Sequence, residues 1–180
     1  MKYFTESMKT EKKFAPVPLD DTDLRILDSL QRDASLSNQD LAAAVRTSPA
    51  TCLRRVKRLV DTGVVERRVA LLSPDHLGAG SLTALVELTL DRQGAEHLAA
   101  FESRAVAEAA VQQCYRVSPG PDFMLVIQVA DMPAYDALVR RLFTQDANVR
   151  NVKAFFSVKR AKFEPAVALP SPAGFQRPGG

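Results

Sequence analysis

Two short segments with helical apolar spacing, separated by only a few residues, constrain this chain more than any other feature. Leu41, Ala42 and Val45 make one apolar face, Arg46 and Thr47 interrupt it, and Ser48-Pro49 opens a second run carrying Cys52, Val56, Leu59 and Val60. A serine just before a helix can accept a hydrogen bond from an unpaired backbone N–H, and proline at the first helical position lacks an N–H that would have had no partner there. The spacing therefore predicts two helices joined by a tight turn, a helix-turn-helix. Gly63 suits the left-handed position just past the end of the second helix.

The surrounding sequence extends this unit. Leu24, Ile26, Leu27 and Leu30 recur at helical spacing, with Asp20 and Asp23 in the first turn, where acids favour the positive dipole end. Ser37 and Asp40 read as a capping box for the short helix that follows. Beyond Gly63, the β-branched Val64, Val65 and Val69, with Arg67 and Arg68, read as a wing or hinge strand. The expected order is a flexible arm at 1–18, a helix-turn-helix domain at 19–63, and a wing or hinge strand with linker at 64–81, punctuated by Pro74, Gly78 and Gly80. The arm has isolated Phe4 and Phe14 but no continuous apolar stretch of the kind a signal peptide carries.

The second half alternates strand and helix. Leu82–Leu90 reads as a strand, Gly94–Ala110 as an amphipathic helix, Val111–Val117 as a strand and Phe123–Val129 as a nearly all-apolar central strand. A helix over Met132–Gln145 and a strand over Val149–Val158 complete the order βαββαβ, which is that of a ferredoxin-like domain spanning 82–163. The expected fold class is α+β, an N-terminal winged helix-turn-helix followed by a C-terminal ferredoxin-like ligand-sensing domain. Two helices cover only one face of such a sheet, so dimerisation is expected to cover the other. Phe101, Phe143, Phe155 and Phe156 are expected to pack helices on the sheet. From 164 to 180 prolines and glycines punctuate a tail expected to be disordered or to clasp a partner.

Charge narrows the function. The net charge is only +3, from 24 basic and 21 acidic residues, so distribution rather than total must identify a nucleic-acid face. Between Leu41 and Val60 lie Arg46, Arg54, Arg55, Lys57 and Arg58, with no acid between Asp40 and Asp61. With Cys52, Val56 and Leu59 facing inward, Ala50, Thr51, Arg54 and Arg58 are expected to face outward. The N-terminal end of such a helix can meet base edges in a major groove while basic side chains neutralise phosphates. The candidate DNA-binding residues are Ser48, Pro49, Ala50, Thr51, Arg54, Arg55, Lys57 and Arg58.

Cys52 and Cys114, the two cysteines, have neither CxxC nor Cys/His spacing, so no disulfide framework or metal site is expected. Both are expected to pack as small apolar groups. No apolar run reaches the roughly 20 residues of a membrane-spanning helix. A cytoplasmic, nucleoid-associated protein is expected. His76 and His97 have no nucleophile arranged nearby in sequence, so neither an enzyme nor a cofactor is expected.

The run Leu19-Asp20-Asp21-Thr22-Asp23-Leu24-Arg25-Ile26-Leu27, then Leu41-Ala42, Ser48-Pro49 through Leu59, and Gly63-Val64-Val65 resembles the Lrp/AsnC family of feast/famine regulators. The likeness continues through Ser73-Pro74, Leu77-Gly78 and Asp122-Phe123-Met124-Leu125, covering about Leu19 to Phe163. It implies binding to double-stranded DNA, sensing of a small molecule such as an amino acid, and homodimers that assemble into tetramers or octamers.

Carried onto this chain, the resemblance places an effector loop at Ser118 to Phe123, with Ser118, Gly120, Pro121, Asp122 and Phe123 as candidate contacts and Ala154 on the last strand. Two departures stand out. The loop begins Ser118-Pro119 where the family usually has Thr-Gly, and Ala154 stands where many members have threonine. Pro119 and Pro121 remove two backbone donors from a loop that would meet a carboxylate. Asp122 alternatively caps the turn before its strand. Two other readings remain: a chromatin-like DNA organiser without an effector, and an enzyme resembling the siroheme decarboxylases on the same architecture.

Overall fold

A computed structural model describes residues 16–73, His76 and residues 81–169. Of these, 16–71 and 163–169 form one compact unit and 72–162 another. Most of the expected arm (1–15), linker residues 74, 75 and 77–80, and tail residues 170–180 lie outside the described residues. Among the described residues no helix is long and apolar enough to cross a membrane.

The helical unit has three helices, α1 (Asp21–Arg32), α2 (Asn38–Ala44) and α3 (Pro49–Asp61). Their starts follow the sequence closely. Asp20 caps α1 by accepting from the Thr22 and Asp23 N–H groups, and Asp23 returns the interaction at the Asp20 N–H. Ser37 caps α2 and Ser48 caps α3, each accepting from the N–H three residues on. Ile26, Leu27, Leu41, Ala42, Val45, Cys52 and Leu59 form the core.

Three features differ from expectation. Val60 is 45% exposed rather than part of the inner face, being one position past the apolar stripe. Val64 and Val65 pack on the core, yet residues 66–73 form no strand, because no segment among the described residues offers them a ladder. The stretch 164–169 is docked on α1. The Val167 N–H donates to Gln31 Oε1 at 2.7 Å, Gln31 Nε2 donates to the Val167 carbonyl at 3.2 Å, and Leu169 packs against the core.

The second unit runs β1 (Leu82–Leu90), α4 (Ala95–Ala107), β2 (Val111–Arg116), β3 (Phe123–Val129), α5 (Met132–Val139), a π-helical turn at Arg140–Thr144, and β4 (Val149–Phe156). The sheet order is β2-β3-β1-β4 with every neighbour antiparallel, the ferredoxin-like arrangement. Side chains alternate faces along each strand. Ala84, Val86, Leu88, Phe123, Leu125 and Ile127 are buried with Phe101, Leu138 and Phe143 from the helical layer. Leu85 and Phe155, partners across β1 and β4, lie on the opposite face at 43% and 53% exposure. Phe155 therefore does not pack a helix on the sheet as expected, since alternation turns it away. Phe156 faces Tyr135 edge-on at 5.1 Å between ring centroids and remains partly exposed.

Candidate nucleic-acid interface and ligand loop

The turn into α3 is built from α2. Its last amides fold back in two bonds, from the Thr47 N–H to the Ala42 carbonyl and from the Arg46 N–H to the Ala43 carbonyl. This is a Schellman closure with Arg46 at the left-handed position, φ +55°. The Asn38 side chain adds a bond across the turn, donating to the Pro49 carbonyl at 2.9 Å.

The basic residues of α3 divide by face. Arg55 Nη1 donates to Asp20 Oδ2 at 2.6 Å and to Asp23 Oδ1 at 3.0 Å, and Arg58 Nη2 pairs with the second oxygen of Asp23. Asp23 is 1% exposed. The Asp23 backbone N–H and then the Arg55 guanidinium hold the Asp20 carboxyl below the usual aspartate range, and the same carboxylates push the Arg55 guanidinium higher. Arg58, expected to face outward, is therefore turned back to α1, and Arg55 with it. The physical reason is a match of spacing: two acids three residues apart at the start of α1, its cap Asp20 and Asp23, meet two arginines three residues apart on α3.

Ala50, Leu53, Arg54 and Lys57 are exposed, and their spacing makes one stripe along α3. Leu53, 60% exposed, is a member the sequence reading missed; its signal was an apolar residue out of phase with Cys52, Val56 and Leu59. Among the described residues neither Arg54 nor Lys57 has a carboxylate within ion-pair distance. Ser48 is committed to capping, its hydroxyl also meeting that of Thr51 at 2.8 Å, while Pro49 is exposed beside it.

In the second unit the loop from Ser118 to Asp122 joins β2 to β3. Ser118, Pro119 and Gly120 are exposed, the Ser118-Pro119 peptide is cis, and Gly120 has φ +125°. Asp122 is bound on both sides: its N–H donates to the Leu88 carbonyl at 2.8 Å, and its Oδ2 accepts from the Leu90 N–H at 2.7 Å and from Gln93 at 3.3 Å. Its carboxylate thus ties the loop to the end of β1, a tether between strands and not a cap on the turn before β3. Phe123 has no exposed surface and packs against Phe101 at 4.8 Å between centroids. As a side-chain contact for a ligand it is corrected to a core residue, because its strand position points under the helices. Ala154 pairs with Val86 and packs on the core, with β1 between it and β3, so one copy of the chain does not bring it together with the loop.

Comparisons with known proteins agree with both halves. A family model described as winged helix-turn-helix DNA-binding matches residues 19–66, and one described as Lrp/AsnC ligand binding domain matches residues 83–167. The leucine-responsive regulatory protein of Haemophilus influenzae is 36% identical, with 87% of this chain and 93% of that protein covered. The protein of the same description from Klebsiella pneumoniae is 34% identical, with 86% and 94% covered. An AsnC family transcriptional regulator from Agrobacterium tumefaciens has a similar structure, with TM-score 0.76, 31% identity and coverage of 83% and 97%. A transcriptional regulator from Neisseria meningitidis, solved as an L-Met complex, gives TM-score 0.74, 29% identity and coverage of 84% and 97%.

Proposed function

The chain belongs to the Lrp/AsnC family of feast/famine transcriptional regulators, and from that premise we propose that it reads a preferred DNA sequence through α3 and responds to an amino acid or a close relative. Membership places it among regulators rather than enzymes. The observation that carries the DNA assignment is the exposed stripe Ala50, Leu53, Arg54 and Lys57, whose two cations are uncommitted to carboxylates while the cations on the other side of the helix are committed. Small Ala50 near the N-terminus allows close approach to base edges, Leu53 offers an apolar contact of the kind a thymine methyl accepts, and Arg54 and Lys57 suit phosphates. Ser48 fixes the start of that helix, and Pro49 and Thr51 flank the approach.

The ligand assignment rests on the matched domain and on the L-Met complex of the Neisseria meningitidis relative. In this chain the exposed residues Ser118 and Gly120 carry a hydroxyl and a backbone N–H, beside Pro121 and the partly engaged Asp122. Fewer backbone donors for a carboxylate favour modest affinity and a preference for apolar or sulfur-containing side chains. The commitment of Asp122 to the Leu90 N–H also favours a second reading, a DNA organiser that needs no effector. Calorimetry with the twenty amino acids, paired with DNA binding in the presence and absence of each, separates the two: the regulator binds at least one and changes its DNA affinity, and the organiser binds none.

A homodimer completes this reading, with higher assemblies built from it. Leu85, Tyr115 and Phe155 stand 43–53% exposed on the uncovered face of the sheet, with Met124 and Val126 between them. An apolar face of this kind is uncommon on soluble monomers. Light scattering at micromolar concentration should find a dimer or larger species, and a stable monomer would contradict the assembly.

A further inference from the structure

The helical unit ends two of its helices in the left-handed conformation, and the two ends are built from different residues. After α3 the position is held by Gly63, φ +74°, and after α2 by Arg46, φ +55°. Each closes its helix by donating its N–H back to the carbonyl three residues earlier, Val60 for Gly63 and Ala43 for Arg46. Glycine adopts this conformation freely, whereas a residue with a Cβ is strained in it. The turn after α2 cannot relax into another shape, because Ala42 and Val45 on one side of it are buried and Ser48 must cap α3 on the other. Arginine is therefore held where glycine would fit without strain.

A solvated arginine does not require that position. Strain kept at one residue points to a task for its side chain. The Arg46 side chain is exposed and, among the described residues, pairs with no carboxylate. It sits two residues before the Ser48 cap, at the entrance to α3. Of the five basic residues between Leu41 and Val60, two are tied to Asp20 and Asp23. The remaining three are Arg54 and Lys57 along the helix and Arg46 at its start.

We infer that Arg46 is a DNA-backbone contact, the cation that anchors a phosphate beside the N-terminal end of α3, taking the place of charge that Arg55 and Arg58 spend inside the unit. The inference deepens the DNA-binding reading and rests on it. A phosphate contact is independent of base sequence, so it strengthens binding to preferred and random duplexes alike.

The test uses the full chain and two labelled duplexes, one selected by the parent protein from a random library and one of unselected sequence. Arg46→Gly should raise the melting midpoint by about 4 °C as the strain is relieved, while weakening binding to both duplexes by about tenfold. The slope of log affinity against log salt should fall by about 0.9 for each subunit in contact, and Arg46→Lys should keep the slope of the parent. Arg54→Ala and Lys57→Ala serve as controls for the underlying reading. If those two weaken binding and Arg46→Gly binds as the parent does, the inference is overturned and the α3 interface stands. If all three bind as the parent does, the α3 interface falls and the inference with it. A melting midpoint lowered by Arg46→Gly would remove the strain on which the argument depends and overturn it as well.

Discussion

The two units of this chain keep themselves folded in different ways. Among the described residues the core cluster of the sheet unit holds thirteen buried side chains in one layer between helices and sheet, whereas that of the helical unit holds seven around three short helices. Among the described residues the most enclosed ion-paired carboxylate lies in the unit with the smaller core. In the sheet unit Arg140 with Asp136 and Arg141 with Glu108 lie on the surface with their arginines 73% and 55% exposed. In the helical unit a carboxylate 2% exposed in its side chain, that of Asp23, is held between two arginines. A small core leaves more of the helix placement to directional contacts, and the clamp fixes the angle at which α3 presents its outer stripe.

If that contrast is real, the largest loss should come from the apolar core of the sheet unit. Phe123→Ala should cost about 4 kcal/mol, because a wholly buried ring leaves a cavity against Phe101; denaturant melts measure it. Asp23→Ala should follow at about 2–3 kcal/mol, below the figure for fully buried pairs because the abandoned arginines can still reach water. Hydrogen exchange should place that loss in α1 and α3 and leave the amides of the sheet protected. A loss spread equally over both units would break the comparison.

Acid should act on the helical unit in the same direction. The Asp20 carboxyl is held below its ordinary range by the Asp23 N–H and Arg55, so around that range the unfolded chain binds more protons than the folded one. The contribution is fully present above about pH 5 and is lost as pH falls below about 4. Melts of the parent and of Asp20→Asn across that window should converge at the acid end. The smallest effect is expected on the sheet unit's surface: Glu108→Gln should move the melting midpoint by less than about 1 °C, since Arg141 is screened by water.

Much of this was legible in the sequence where the cause is local. Asp20, Ser37 and Ser48 announce three helix starts because capping is decided within four residues, and the apolar runs at Leu82–Leu90 and Phe123–Val129 mark two strands of the sheet. What was not legible depends on partners remote in the chain. Arg55 and Arg58 read as DNA-binding cations because their acids lie more than thirty residues away, though the matching spacing of Asp20 with Asp23 was a clue. The stretch after Val65 has the residues of a strand, but a strand exists only with a neighbour to pair with. Docking of Val167 on Gln31 lay hidden in a proline-rich segment whose composition resembles a free tail. Phe123 entered the candidate loop through the family resemblance, and alternation along β3 turned it inward.

The central claim is that neighbouring arginines on α3 do different work, Arg54 meeting DNA and Arg55 holding the helix to α1. Full-length Arg54→Ala and Arg55→Ala should be compared in the same two measurements, thermal melting and DNA affinity across a salt series. Arg54→Ala should melt like the parent and lose about 0.9 of salt slope per subunit, while Arg55→Ala should melt earlier and keep the parent's slope. Reversal of that pattern, with Arg55→Ala melting normally and losing the slope, would contradict the claim.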